Sequence, residues 1–177
     1  MKLVILDRDG VINRDSDAYI RTPDEWLPLP GSLEAIAKFT QAGYHVVVAT
    51  NQSGIGRGLF EMATLNAIHD RMHRAVTQAG GRIDAVFYCP HAQEANCDCR
   101  KPKPGLLEEI GRRFNTELKD VPVIGDALRD LQAAAAVGAQ PILVLTGKGE
   151  GTQRNGALPA GTKIHADLAD AAKAIIR

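Results

Sequence analysis

Residues 3–10 read Leu-Val-Ile-Leu-Asp-Arg-Asp-Gly, a short apolar run that ends in two closely spaced carboxylates. Four consecutive apolar residues without alternation favour a strand of a parallel sheet that is covered on both faces. In open sheets of this kind the functional crevice lies beyond the carboxyl ends of the strands. Asp7 and Asp9 would lie there, as ligands of one metal ion or as nucleophile and acid/base. An isolated Asp-x-Asp pair also occurs in turns and helix caps, so this interpretation depends on the ends of the other strands.

Further apolar runs alternate with helical patterns along the chain. Strands are predicted at residues 44–49, 83–88, 121–124, 141–145 and 163–166. Helices are predicted at residues 33–41, 62–79, 105–114 and 167–176, and a further Ala-rich helix is predicted to end at residue 137. This β-loop-α alternation predicts an α/β fold with a doubly wound parallel sheet, in one domain over residues 1–177. Ser32 is predicted to cap the first helix. Residues 147–151 (Gly-Lys-Gly-Glu-Gly) are predicted to form a mobile loop without a nucleotide role, because the Ser or Thr of a P-loop is absent.

The amino-acid composition is that of an ordinary globular domain and does not favour a nucleic-acid-binding or membrane protein. The chain has 177 residues, of which 45% are hydrophobic and 24% charged, as expected of a globular domain. Lys and Arg number 21, as do Asp and Glu, so no general attraction to nucleic acids or membranes is expected. No apolar run approaches ~20 residues and the first strand leaves no room for a signal peptide, so we expect a cytoplasmic location. A monomer is the simplest expectation.

Polar groups follow three other predicted strands. Residues 50–54 (Thr-Asn-Gln-Ser-Gly) offer hydroxyls, amides and backbone N–H groups that can surround an oxyanion, although a simple turn is the alternative. Arg100 and Lys101 provide positive charge, or else form a solvated basic turn. Asp126 follows the fourth strand and could instead cap the next helix. If the first and fourth strands are neighbours, Asp7 and Asp126 meet at the switch point of the sheet.

All three cysteines fall within eleven residues, in Cys89-Pro90-His91 and Cys97-Asp98-Cys99. Three thiols and one imidazole in two close pairs make a Cys₃His set that is typical of closed structural zinc sites. The alternative is a group of free core cysteines beside a surface histidine. Cysteines two apart among polar residues are poor core material, so we favour zinc. It would brace the loop and fix the direction of Arg100 and Lys101.

Two other segments remain ambiguous in the sequence. His69 and His73 have the i,i+4 spacing of helical zinc ligands, but the Glu of the His-Glu-x-x-His motif is absent, so we interpret them as a solvated helix face. Residues 13–30 form a long polar connection, which is either functional or a surface excursion in which Trp26 packs onto the domain.

The strand ends together predict phosphoryl transfer to water. Facing carboxylates at Asp7 and Asp126 need a cation, and Mg²⁺ suits a site with a few carboxylates and a phosphate. Thr50 and Lys101 would hold the phosphoryl oxygens. Asp7 would attack phosphorus, and Asp9 would protonate the leaving alkoxide and then activate water.

These residues resemble, in order, the four motifs of the haloacid dehalogenase (HAD) superfamily of phosphatases. The resemblance spans residues 3–145 and rests on Asp-Arg-Asp-Gly, Thr50, Lys101 and Gly-Asp-x-x-x-Asp at 125–130. It implies a Rossmann-like HAD fold with Mg²⁺ at Asp7, the Asp9 backbone carbonyl and Asp126. Since no large insertion separates the motifs, the cap would be minimal, with the zinc loop and the first loop shaping the pocket.

Within the superfamily, the chain is similar to the histidinol-phosphatase-like subfamily. It resembles in particular phosphatases that remove the 7-phosphate of D-glycero-D-manno-heptose 1,7-bisphosphate during synthesis of ADP- or GDP-heptose for lipopolysaccharide or surface glycans. The resemblance implies zinc at Cys89, His91, Cys97 and Cys99. The implied substrate contacts are Asp15, Tyr19, Thr50, Asn51, Gln52, Ser53, Arg100 and Lys101.

Two alternatives remain at this point. A histidinol-phosphate phosphatase of histidine biosynthesis has similar motifs and a similar zinc loop; residues 53–58 (Ser-Gly-Ile-Gly-Arg-Gly) and the lack of a second biosynthetic domain favour the heptose substrate. Ala127 departs from the heptose enzymes, which often carry Lys after the metal-binding Asp. A non-catalytic phosphosugar-binding module would be the other alternative, but the complete set of Asp7, Asp9, Lys101 and Asp126 argues against it. The sequence does not distinguish the α from the β anomer.

Overall fold

Six parallel strands form one sheet in the computed structural model, which describes residues 1–177. The strands are β1 Leu3–Leu6, β2 His45–Asn51, β3 Ala85–Cys89, β4 Pro122–Gly125, β5 Gln140–Val144 and β6 Lys163–His165. Their order is β3-β2-β1-β4-β5-β6, so β1 pairs with both β2 and β4. The predicted doubly wound α/β sheet is confirmed, and its switch point lies where β1 ends at Asp7.

Helices connect the strands and cover both faces of the sheet. They are α1 Ser32–Gln41, α2 Ser53–Gly56, α3 Met62–Gln78, α4 Gly105–Arg113, α5 Leu128–Ala136, α6 Gly149–Asn155 and α7 Leu168–Ile175, with short 3₁₀ turns at Pro23–Glu25 and Gln93–Ala95. No inserted domain interrupts this alternation, which agrees with the predicted minimal cap. None of the helices combines the length and the apolar character needed to cross a membrane.

The core consists of two apolar clusters, one on each face of the sheet. Alternate residues of β1 divide between them, because successive side chains of a strand point to opposite faces. Val4 and Leu6 join α1, α3 and α7 residues, whereas Leu3 and Ile5 join α4 and α5 residues. Trp26 is buried in the first cluster, as expected if the long first connection packs onto the domain. The apolar run of β1 therefore anchors both layers and fixes the position of Asp7.

Two local predictions are wrong. Ser32 does not cap α1: it is the first helical residue, and its hydroxyl donates a hydrogen bond to the Val11 carbonyl at 2.7 Å. Gly31, with φ of 80°, precedes it in the left-handed region that glycine adopts without strain. Residues 149–155 are helical rather than a loop, and this helix packs beside β5 and Asp126.

Candidate active site

A polar cavity lies at the carboxyl ends of β1, β2 and β4, where the sequence predicts the site. Fifteen residues line it: Asp7, Asp9, Asp15, Ser16, Asp17, Tyr19, Thr50, Asn51, Ser53, Gln93, Arg100, Lys101, Asp126, Arg129 and Lys148. The structure therefore brings together every predicted catalytic and substrate-binding residue except Gln52. Acidic and basic side chains meet in this cavity, so its electrostatics decide what it can bind.

Three buried carboxylates crowd the floor of the cavity. Oxygens of Asp7, Asp126 and Asp130 lie within 4.8 Å of one another. Burial, and then the charge of Asp130, raise the pKa of Asp7 to about 7. Burial, and then the charge of Asp7, raise the pKa of Asp126 to about 8. Carboxylates that resist ionisation together in this way are stabilised by a divalent cation, so this donor set fits Mg²⁺.

Lys101 is the buried cation beside this cluster. Its ammonium group donates to Asp130 Oδ1 at 2.6 Å and to the Ala49 carbonyl at 2.8 Å, and lies 3.3 Å from Asp7 Oδ1. Burial alone would lower the pKa of Lys101, but the charges of Asp130 and Asp7 outweigh it and raise the pKa. Lys101 therefore stays charged beside the carboxylate of Asp7.

The Asn51 side chain fixes the backbone of Lys101. Its Nδ2 donates to the Lys101 carbonyl at 3.2 Å, and its Oδ1 accepts from the Lys101 N–H at 3.1 Å. Both ends of the amide are thus occupied by one neighbour, although Asn51 also borders the cavity. This pairing joins the end of β2 to the segment after the cysteine loop.

Thr50 and Ser53 border the cavity from β2 and from α2. Gln52 does not line it: the side chain is buried, and its Nε2 donates to Thr50 Oγ1 at 3.0 Å. Gln52 therefore holds the Thr50 hydroxyl in place from the protein interior and does not contact the cavity.

Asp9 lies higher in the cavity, with a side chain that is 25% exposed. Its Oδ1 accepts from Arg8 Nε at 2.9 Å and from Asn13 Nδ2 at 2.9 Å. Burial raises the pKa of Asp9, but the charge and hydrogen bond of Arg8, with help from Asn13, outweigh it and lower the pKa. Asp7 and Asp9 therefore have opposite pKa shifts although one residue separates them, which is typical of carboxylates with different roles.

His69 is not on a solvated face, contrary to our prediction. It is only 7% exposed, and its Nε2 lies 3.1 Å from Arg8 Nη1. Burial and the Arg8 charge lower the pKa of His69 to about 3. The helical pattern of α3 did not reveal this contact because its partner is 61 residues away in the sequence.

Outside the first loop, which also contributes Ser16 and Asp17, three lining residues were not predicted: Gln93, Arg129 and Lys148. Arg129 lies in the first turn of α5, three residues after Asp126, and its Nε is buried without a partner. Lys148 extends an ammonium group to within 3.5 Å of Asp15 Oδ2. The position of Arg129 within the Gly-Asp-x-x-x-Asp stretch at 125–130 was the sequence signal that could have found it.

The segment that begins α6 supports Asp126. The backbone N–H of Lys148 donates to Asp126 Oδ2 at 2.9 Å, and Thr152 Oγ1 donates to the Asp126 carbonyl at 2.7 Å. Gly10 and Gly147 both pass so close to Asp126 that a Cβ on either would overlap its carboxylate. These glycines permit the close backbone approach that sets the position of Asp126.

A second cluster joins Cys89, His91, Cys97 and Cys99. Their ligand atoms lie within 4.8 Å of one another, with Cys89 Sγ 3.4 Å from both His91 Nδ1 and Cys97 Sγ. The cysteines are free thiols, and two of them are partly exposed. Four soft donors that converge on one point from a strand end and a loop fit a tetrahedral zinc ion better than a core cluster. The structure therefore places these four residues as the sequence predicts.

Comparison with known proteins places the chain among phosphatases. A HAD-hydrolase-like family model matches residues 98–171. The D-glycero-beta-D-manno-heptose-1,7-bisphosphate 7-phosphatase of Bordetella bronchiseptica is 58% identical to this chain, and the match covers 100% of this chain and 99% of the relative. The enzyme of the same name from Pseudomonas putida is 54% identical, and the match covers 99% of this chain and 100% of the relative.

Two solved structures of heptose bisphosphate phosphatases are also similar to this chain. The D,D-heptose 1,7-bisphosphate phosphatase of B. bronchiseptica, complexed with magnesium and phosphate, is similar with a TM-score of 0.98 and 59% identity, over 99% of this chain and 98% of that one. The corresponding enzyme of Burkholderia thailandensis has a TM-score of 0.80 and 55% identity over the same shares.

Proposed function

Because the chain belongs to the family of D-glycero-beta-D-manno-heptose-1,7-bisphosphate 7-phosphatases, which are HAD-type hydrolases, we propose that it removes the 7-phosphate of D-glycero-D-manno-heptose 1,7-bisphosphate. It is a phosphoric monoester hydrolase that acts on a phosphosugar. The observation that carries this function is the cavity in which Asp7, Asp9, Thr50, Lys101 and Asp126 meet. The names of the relatives specify the β anomer, which we therefore favour as the substrate. A place in nucleotide-activated heptose synthesis is what the resemblance of the sequence motifs implies.

Asp7 is the nucleophile. Its carboxylate attacks phosphorus as the bond from phosphorus to the sugar oxygen breaks, which leaves an aspartyl-phosphate. Lys101 and Thr50 hold the phosphoryl oxygens as negative charge develops on them. Lys101 lies 3.3 Å from Asp7 Oδ1, so one cation can contact both the nucleophile and the transferred group.

Asp9 is the general acid and then the general base. It gives a proton to the departing sugar oxygen and takes one from the water that attacks the aspartyl-phosphate, which releases phosphate and restores the Asp7 carboxylate. Its side chain is partly exposed and borders the cavity, so the carboxylate is accessible to a substrate oxygen or a water.

Mg²⁺ would be held by the carboxylates of Asp7 and Asp126 and by the backbone carbonyl of Asp9. When bound, it would offset the negative charge of these carboxylates and of the phosphoryl group. The raised pKa values of Asp7 and Asp126 support this assignment, because they express a repulsion that a cation relieves.

Zinc would be held by Cys89, His91, Cys97 and Cys99 in a structural role. All four positions are taken by protein ligands, so none is open to a substrate. Gln93 within this loop and Arg100 directly after it both border the cavity. A zinc ion bound there would order one wall of the substrate site.

The sugar is recognised by residues around the rim of the cavity. We assign this contact to Asp15, Tyr19, Asn51, Ser53 and Arg100, with Gln52 as a support of Thr50. The zero net charge supports the expectation that the protein has no nucleic-acid or membrane partner. A cytoplasmic location and a monomeric state are part of the same proposal.

The test is phosphate release in the presence of Mg²⁺ from four substrates in parallel. They are the α- and β-heptose 1,7-bisphosphates, histidinol phosphate and fructose 1,6-bisphosphate. We expect the highest kcat/KM on a heptose bisphosphate, with the β anomer preferred. A preference for histidinol phosphate would move the protein to histidine biosynthesis with the same mechanism. The matched control is Asp7→Asn, which keeps the shape of the side chain and should abolish turnover; binding without turnover in the wild-type chain would instead favour the non-catalytic module.

A further inference from the structure

Arg8 is a buried guanidinium directly beneath the catalytic carboxylates. Its side chain has no exposed surface, although it is one of the longest and most polar in the chain. Nε donates to Asp9 Oδ1 at 2.9 Å on one side, and Nη1 lies 3.1 Å from His69 Nε2 on the other. Because a buried charge is costly unless it is paired, the orientation of Arg8 depends on these two neighbours.

His69 acts as a hydrogen-bond acceptor in this contact. Arg8 and His73 lower its pKa and Asp9 raises it, but burial dominates and holds the pKa at about 3. The imidazole is therefore neutral, with Nε2 free of a proton and able to accept from Arg8 Nη1. Since His69 is carried on α3 and packed into the domain, it fixes the plane of the guanidinium from behind.

Arg8 passes this constraint to Asp9. Its Nε and Asn13 Nδ2 both donate to Oδ1, so rotation of the carboxylate is restricted from two directions. The carboxylate held in this way borders the cavity. A guanidinium that lost its acceptor at Nη1 would have two unpaired nitrogens, because Nη2 already has no partner. It would then turn to find one, and Asp9 would lose its fixed direction.

We propose that His69 is a positioning residue which, through Arg8, aims the carboxylate of Asp9 at the leaving oxygen and the attacking water. This inference rests on the proposed function, in which Asp9 transfers protons. It assigns a role in the reaction to a residue on α3 that does not border the cavity. A small misalignment of a proton-transfer group can cost a large part of its contribution to the rate.

The experiment compares His69→Leu with His69→Gln in the full-length protein with Mg²⁺. Leucine keeps the volume without an acceptor, whereas the Gln Oε1 can accept from Arg8 in place of Nε2. We expect His69→Leu to lower kcat about tenfold or more with KM within about twofold, and His69→Gln to recover most of the rate. His73→Leu, one turn further along the same helix, should leave both constants within about twofold.

A double-mutant comparison tests the route through Arg8. In an Arg8→Met background, His69→Leu should lower kcat by less than about twofold further, because the group through which it acts is already gone. Equal losses in the Leu and Gln variants, or a rise in KM in place of a fall in kcat, would show a merely structural role. An unchanged kcat in His69→Leu would overturn the inference while the wild-type activity stands. Failure of the wild-type chain itself to hydrolyse a heptose bisphosphate would instead overturn the proposed function.

Discussion

Asp130 performs two tasks with its two oxygens. Oδ1 pairs with the Lys101 ammonium group at 2.6 Å, and Oδ2 accepts from the backbone N–H of Ala127 at 3.2 Å, at the start of α5. The first contact holds Lys101 in place, and the second satisfies one of the free N–H groups at a helix N-terminus. One buried carboxylate thus links the position of Lys101 to the position of the helix that follows Asp126.

We predict that Asp130→Asn destabilises the protein by about 2–3 kcal/mol, because an amide cannot accept from both donors at once. Either Lys101 or the Ala127 N–H would face an NH₂ group. Urea unfolding would measure the change. Asp170→Asn is the control, since Asp170 is an exposed acceptor near a helix start; a loss there as large as at Asp130 would contradict the role of burial.

The low pKa of His69 predicts a loss of stability in acid. The unfolded chain takes up a proton at this residue near pH 6.5, whereas the folded chain resists it down to about pH 3. The stability that neutral His69 contributes is therefore fully present above pH 6.5 and lost as the pH falls. Between pH 7 and pH 5, wild type should lose about 2 kcal/mol more than His69→Gln, measured by urea unfolding at each pH. If the free energy of unfolding fell equally with pH in the two proteins, His69 would be protonated as readily in the folded state as in the unfolded state.

Among the elements, the cysteine loop depends most on a metal. It has only a short 3₁₀ turn, at Gln93–Ala95, and no strand of its own, so few internal hydrogen bonds hold it. We predict that Cys97→Ser lowers the zinc content below one ion per chain and raises KM, because Arg100 loses its fixed support. Metal analysis by mass spectrometry measures the first effect. Asp98→Asn, between two ligands, should retain zinc; unchanged zinc in Cys97→Ser would rule out the assignment.

Helix α6 is the element that supports Asp126 from outside the sheet. Thr152→Val removes the hydroxyl that donates to the Asp126 carbonyl at 2.7 Å. We predict a loss of about 1 kcal/mol in stability and a several-fold rise in the Mg²⁺ concentration for half-maximal activity. A magnesium titration of the rate measures the second effect. Thr77→Val, on the exposed side of α3, serves as the control and should change neither quantity.

The sequence predicts the strands better than the contacts between distant elements. The apolar runs locate β1 to β6, and the switch-point rule correctly brings Asp7 to Asp126. Helix α6 was missed because residues 149–155 include two glycines and no apolar residue, so no helical periodicity is visible. The spacing of His69 from Leu65 and Met72 already placed it on the buried face of α3, and the prediction overlooked this because it treated His69 and His73 as one solvated pair. The contact with Arg8 was missed because single-sequence patterns do not report pairs so far apart in the chain.

At the scale of the molecule, the carboxylate cluster lowers the free energy of unfolding when no metal ion is bound. Burial and the neighbouring carboxylates raise the pKa values of Asp7 and Asp126, so the ionisation of both groups is unfavourable in the folded, metal-free protein. We predict that Asp126→Asn increases the free energy of unfolding without metal by at least about 1 kcal/mol at neutral pH, while it abolishes activity. Thermal unfolding with a chelator would measure the gain. Added Mg²⁺ should stabilise wild type but not this variant; a less stable variant in chelator would contradict the repulsion.

The composition of the cavity wall has a consequence for the discovery of inhibitors. Only Tyr19 among the fifteen lining residues is hydrophobic, so a mainly carbon ligand would gain little by leaving water. Screens of neutral, drug-like compounds should therefore yield few competitive binders. Effective competitors will be anionic phosphate mimics such as phosphonates, whose charge slows their passage through lipid bilayers. Esters that mask this charge would cross bilayers more readily, but they would need cleavage to the active anion before they could bind.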